Sequence, residues 1–211
     1  MEKEQDYLQQ LSDIRSMMER SLRFTALSGK AMALAGLFAL AGFLANALWV
    51  GFMPTTAGYP YDQPEQVWPN MGGTIALAII VLALSLAFGI ALTGMRARQA
   101  GHPVWNHATR RLLWAMATPL LTGGLLMLVL LYHKLAGLLA PASLVFYGLS
   151  LVSGSYFSLG ILRPLGALQI ALGLLAASFI PLSPWLWTLG FGLLHIAFGL
   201  YIHYKYQRSP V

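Results

Sequence analysis

The sequence contains no cysteine and, beyond Glu65, no acidic residue. The first absence removes disulfides, thiolate metal sites and cysteine nucleophiles. The second leaves the long apolar runs without a carboxylate, and so without the membrane-embedded aspartate or glutamate on which sodium- and proton-coupled transporters commonly rely. Lysine is missing from the apolar runs as well, which excludes a retinal Schiff base. No histidine-glutamate zinc helix, serine-centred nucleophile elbow or paired acid and base can be found. Nothing in the sequence therefore points to an enzyme, a catalytic residue, a resident metal or a cofactor. Charged residues make up only 9% of the chain against 57% hydrophobic, too few to clothe a water-soluble domain.

What is present is a series of apolar runs of bilayer length. About 20 residues, at about 1.5 Å rise each, cross a hydrocarbon core of about 30 Å. Six such runs occur, at residues 32–52, 73–95, 112–132, 142–160, 165–180 and 185–204. The fifth is short and is bounded by Pro164, Pro181 and Pro184, residues that interrupt helices. The flanking charge is one-sided. Placing the N-terminus in the cytoplasm puts Lys3, Arg15, Arg20, Arg23, Lys30, Arg96, Arg98, Arg110, Arg111, Arg163, Lys205 and Arg208 there, and leaves Lys134 alone outside. The expected fold is all-α: a polytopic membrane bundle of six transmembrane helices over residues 31–205, with both termini cytoplasmic. The net charge of +6 then lies against anionic head groups and requires no nucleic acid, for which the chain carries no reading motif.

Four segments lie outside the runs. Residues 1–30 carry Leu8, Leu11, Ile14, Met18 and Leu22 at helical spacing, the stripe of an amphipathic helix that lies on the inner membrane surface or docks a cytosolic protein. Residues 54–70 form the sizeable outer loop, whose prolines and whose Tyr59, Tyr61 and Trp68 predict an irregular interfacial segment. Residues 96–111 form a basic inner loop in which His102 and His107 lack a third partner for a metal, while the arginines suit lipid phosphates or an acidic protein surface. Arg15, Arg20, Arg23, Arg96, Arg98, Arg110 and Arg111 are the candidate contacts to membrane lipid or to such a partner. Residues 206–211 are a short cytoplasmic tail.

Within the runs, small and polar residues recur at helical spacing and are expected to face other helices. They are Ala35, Ala39, Gly42 and Asn46 in the first run, Ser85, Gly89 and Thr93 in the second, and Trp114, Thr118 and Thr122 in the third, where Pro119 predicts a kink. The fourth offers Tyr147, Ser150, Gly154 and Ser158, the fifth Gly166, Gln169, Gly173 and Ala177, and the sixth Thr188, Gly192, His195, Gly199 and His203. Two readings of the polar members stand side by side. In one they hydrogen-bond across helix interfaces. In the other, Asn46, Thr118, Tyr147, Ser150, Gln169 and His195 converge on a polar cavity or solute pathway. His195 is the sharpest of them, an imidazole near the middle of a span. As a haem ligand it has no obvious mate, since His203 lies about 12 Å further along the same helix.

Residues 20–29 (RSLRFTALSG), leading into the first run, and residues 189–205 (LGFGLLHIAFGLYIHYK), forming the last, resemble a family of six-span bacterial inner-membrane proteins. That family occurs mainly in Bacteroidetes-type bacteria and is often encoded beside a small winged-helix regulator. The resemblance implies a multi-pass protein of the bacterial inner membrane with a cytosolic partner of winged-helix type. The family has no established activity and so supplies no site residues. The resulting expectation is a non-enzymatic membrane protein that senses a membrane condition or scaffolds a cytosolic partner at its basic inner face. The alternative is a small channel or carrier for a neutral or anionic solute. Homo-oligomer formation is compatible with either.

Overall fold

A computed structural model describes residues 28–50, 64–99, 105–158 and 160–207, which are helical with short connections and without a strand among the described residues. The N-terminal segment with Arg15, Arg20 and Arg23, the outer loop up to residue 63, His102 and residues 208–211 lie outside them. Helix α1 (Gly29–Ala45) runs into a π-helical turn, Asn46–Val50. It is followed by α2 (Pro64–Gln99), α3 (His107–Tyr132), α4 (Leu139–Ser155) and α5 (Leu162–Ser178). The last span is continuous but not uniform: α6 (Ser183–Trp187), a π-helical stretch Thr188–Leu194, then α7 (His195–Gln207). Five stretches are long and apolar enough to cross a membrane, and α5, with 17 residues, is apolar but shorter. This is the architecture of a multi-pass helical membrane protein.

Local chemistry shifts several predicted boundaries. Residues 64–70 are helical rather than irregular. Pro64 stands at the first helical position, where its missing amide hydrogen is not needed and its φ is already helical. The basic loop is shorter than residues 96–111, since α2 continues through Arg96 and Arg98 and α3 begins at His107. Arginines in the last turn of a helix complement its dipole. The start of α3 is capped by Asn106, whose Oδ1 accepts from Thr109 N at 2.8 Å and from Thr109 Oγ1 at 3.0 Å. That helix passes through Pro119 without interruption and ends at a left-handed Lys134 (φ 60°). There Leu135 N donates to Leu130 O at 2.8 Å and Lys134 N to Leu131 O at 3.0 Å, the paired bonds of a Schellman cap. Helix α4 ends at Ser155 rather than at residue 160.

Close backbone approach holds the bundle together. A Cβ on Gly148 would lie 2.6 Å from Gly166 O, and one on Gly166 would lie 2.6 Å from Gly148 O, so α4 and α5 touch through reciprocal glycines. The first and last helices pair in the same way: a Cβ on Gly199 would lie 2.7 Å from Gly29 O, and one on Gly36 2.6 Å from Gly192 O. Helix α3 packs on α4, with Gly123 against Phe146 and Gly154 against Met116 and Leu112. Leu151, Leu162 and Leu165 fill the centre, with Met32, Met116, Tyr147, Leu194 and Phe198 around them. Helix α2 leans on α1 through Phe38 and Phe88, whose rings are 5.3 Å apart, and reaches α3 through Ala97, Ala108 and Leu112.

Candidate functional site

Three of the polar residues singled out in the sequence meet. Tyr147 comes from the middle of α4, Gln169 from the middle of α5 and His195 from the start of α7. Gln169 and His195 share one backbone carbonyl, that of Gly190 in the π-helical stretch: Gln169 Nε2 donates to it at 2.8 Å and His195 Nδ1 at 2.9 Å. A carbonyl only accepts, which assigns the imidazole proton to Nδ1. On the neutral ring Nε2 is then the acceptor, and Tyr147 Oη donates to it at 2.8 Å. Gln169 Nε2 also lies 3.5 Å from His195 Nδ1, but with both atoms acting as donors that approach is not a bond. Phe191 lies nearly parallel to the imidazole, 15° off at 5.7 Å, and 5.0 Å from the Tyr147 ring. These stacked rings hold the histidine's plane.

The π-helical stretch makes this arrangement possible. Widening the turn loosens the regular i to i−4 ladder, which lets a carbonyl accept from side chains of neighbouring helices. Glycine at 190 makes room for the glutamine, since a Cβ there would sit 2.5 Å from Gln169 Oε1 and 2.7 Å from Leu144 Cδ2. That oxygen has no hydrogen-bond partner and is the exception in a network otherwise paired.

The remaining candidates fall elsewhere. Asn46 Oδ1 accepts from Thr74 Oγ1 at 2.8 Å and ties α1 to α2. Ser150 Oγ donates to Met116 O at 3.1 Å and ties α4 to α3. Thr118 does not reach the interior: it is exposed on the outside of the bundle, as are Trp114 and Thr122. The expected inward stripe of the third run is corrected accordingly. The hydroxyls need no partner helix because each bonds its own, Thr118 to Trp114 O at 3.3 Å and Thr122 to Thr118 O at 2.9 Å. The face of α3 that does pack carries Leu112, Met116 and Gly123. In α2, Gly89 has nothing within 4 Å of where its Cβ would be, so it mediates no close approach. Ala177 is exposed on α5, and the buried position beside it is Ala176.

Access bears on the two readings of the polar residues. Gln169 and Ser150 are 0% exposed and His195 is 3% exposed. A side chain lining a water-filled path is touched by water; these are not. Tyr147 and Asn46 are half-buried, at interfaces between helices. Of the candidate surface residues, Arg98, Arg110 and Arg111 are exposed and Arg96 is half-buried. Sequence reasoning missed the Gly190 acceptor and Ser183, whose buried hydroxyl donates to Ala176 O at 2.9 Å across the turn between α5 and α6. The two glycines in TLGFGLL were the available signal for the first.

Fold and site together define a multi-pass helical membrane protein whose interior polar side chains are engaged between helices. Compared with protein-family models, curated proteins and solved structures, the chain matches none.

Proposed function

We propose that the chain is a non-enzymatic six-span protein of a bacterial inner membrane, with both termini cytoplasmic and α5 counted as the short span. Its bundle is a rigid scaffold, and its working surface is the basic inner end. There the N-terminal amphipathic helix and the arginines of residues 96–111 dock a cytosolic partner with an acidic surface. By the family resemblance, a winged-helix regulator fits that role.

The observation that carries this reading is the division of the polar residues. Gln169 at 0% and His195 at 3% exposure are closed to water, and Asn46 and Tyr147 are half-buried at helix interfaces, which favours a packed interior over a carrier lined by these four. The end of the bundle where α2 and α7 finish and α1, α3 and α5 begin carries Lys30, Arg96, Arg98, Arg110, Arg111, Arg163 and Lys205. The acidic residues of the chain all lie at or before Glu65. Lys134 lies at the other end, as the inside-positive distribution requires. Deleting residues 1–22 is expected to abolish recovery of the cytosolic partner in a pull-down from solubilised membranes while the spans still insert. Unchanged recovery contradicts the reading.

A further inference from the structure

We infer that the groove at the basic end of α3 is a binding site for the phosphate headgroup of an anionic phospholipid. This groove, about 510 Å³ in volume, is lined by His107, Arg110, Arg111, Trp114, Ala115 and Phe157. Its chemistry is layered along the helix axis. His107, Arg110 and Arg111 form the outer end, Trp114 and Ala115 lie one turn deeper on α3, and Phe157, packed against the cluster of Ala97, Ala108 and Leu112, completes the lining. A phospholipid at a membrane surface has the same order, with charge outermost and apolar chain beneath.

Three further observations favour lipid over a soluble anion. Trp114 is 71% exposed, at the depth where an indole sits between head groups and acyl chains. Below it the same side of α3 continues through Leu121, Leu125 and Leu128, each more than 60% exposed, a track on which an acyl chain can lie. Arg110 and Arg111 are adjacent, and both are exposed. Two guanidinium groups and an imidazole suit a phosphate whose headgroup carries no compensating amine. The inference rests on the multi-pass reading with this end at a membrane surface, and not on the docking of a partner.

The test uses purified full-length protein exchanged into nanodiscs of phosphatidylcholine containing either phosphatidylglycerol or cardiolipin, with co-purifying lipid counted by native mass spectrometry. The wild type is expected to retain the anionic lipid over phosphatidylcholine. Arg110→Gln and Arg111→Gln are each expected to lower that retention about fivefold, the ordinary strength of one basic side chain at an anionic surface. The pair Lys30→Gln and Arg163→Gln removes equal charge outside the groove and is expected to change retention less than about twofold. Thermal unfolding is followed alongside, and the single variants decide the matter if the double groove variant does not fold. Equal losses from the groove and control pairs overturn the site in favour of diffuse charge, and unchanged retention in the groove variants overturns it outright. Displacement by inorganic phosphate as readily as by lipid also overturns it, assigning the groove to a free anion. So does a pull-down in which Arg110 and Arg111 govern recovery of an acidic protein but not of lipid, which leaves the docking reading standing.

Discussion

Helices α2 and α4 are both apolar, both glycine-bearing, and built on opposite principles. In α4, Gly148 lies against the backbone of Gly166, and the helix buries Leu144, Ser150 and Leu151 at 2% exposure or less. In α2, Gly89 and Gly94 face open space, and Ile79, Leu82, Leu86 and Ile90 are each more than half exposed. One helix reads as core and the other as lipid-facing wall, and the wall is the more apolar, with mean hydropathy 2.9 in its span against 1.6. The difference teaches that a glycine in an apolar helix is defined by its neighbour. Where a second backbone lies within reach, glycine permits contact that no larger residue can replace; where lipid lies there, it only weakens the helix.

The comparison can be broken most forcefully at the reciprocal glycines. Gly148→Ala or Gly166→Ala sets a Cβ against a carbonyl that cannot rotate away, and each is expected to lower stability by about 1–3 kcal/mol in a detergent unfolding titration. An effect no more destabilising than that of Gly89→Ala contradicts the account. Next come the polar ties. Tyr147→Phe removes the donor to His195, and Ser150→Ala the donor to Met116 O. Each is expected to cost about 0.6–2 kcal/mol. Thr118→Val is the matched control on the outside of the bundle, and its hydroxyl already bonds its own helix. An effect within about 0.5 kcal/mol is expected there in the same titration. Gly89→Ala has the opposite sign, a gain of about 0.5–1 kcal/mol from helix propensity alone. A second change of that sign is Lys134→Gly, which relieves a left-handed φ of 60°. A gain of up to about 1 kcal/mol, read as a raised midpoint, is expected.

How much of this was legible in the sequence depended on whether the signal lay in a side chain. The apolar runs and the one-sided arginines located the helices and their common basic end. The stripes of the fourth and fifth runs pointed correctly to Ser150, Gly154, Gly166 and Gln169, all buried. The third stripe failed because a threonine in a helix can satisfy its hydroxyl on its own backbone, and periodicity cannot tell that from a bond across an interface. The starts of α2 and α3 moved because Pro64 acts through its fixed φ and Asn106 through a capping hydrogen bond of its side chain, neither of which hydropathy registers. Gly190 was missed because its contribution is a backbone carbonyl in a π-helical stretch: the glycines of TLGFGLL mark the place without naming the acceptor. Gln169 and His195 were recognised as polar and interior, but the atom that joins them was not.

The central claim is that the polar interior ties helices together and is not a path for solute. Because the chain has no cysteine, single replacements report water access without background. Ser150→Cys and Gln169→Cys would be treated in native membranes with a charged, water-soluble thiol reagent beside Arg98→Cys as the exposed reference. The account predicts rapid labelling at 98 and none at 150 or 169 until the protein is unfolded. Labelling of either interior position at a rate comparable to that at 98 would contradict it and restore the carrier.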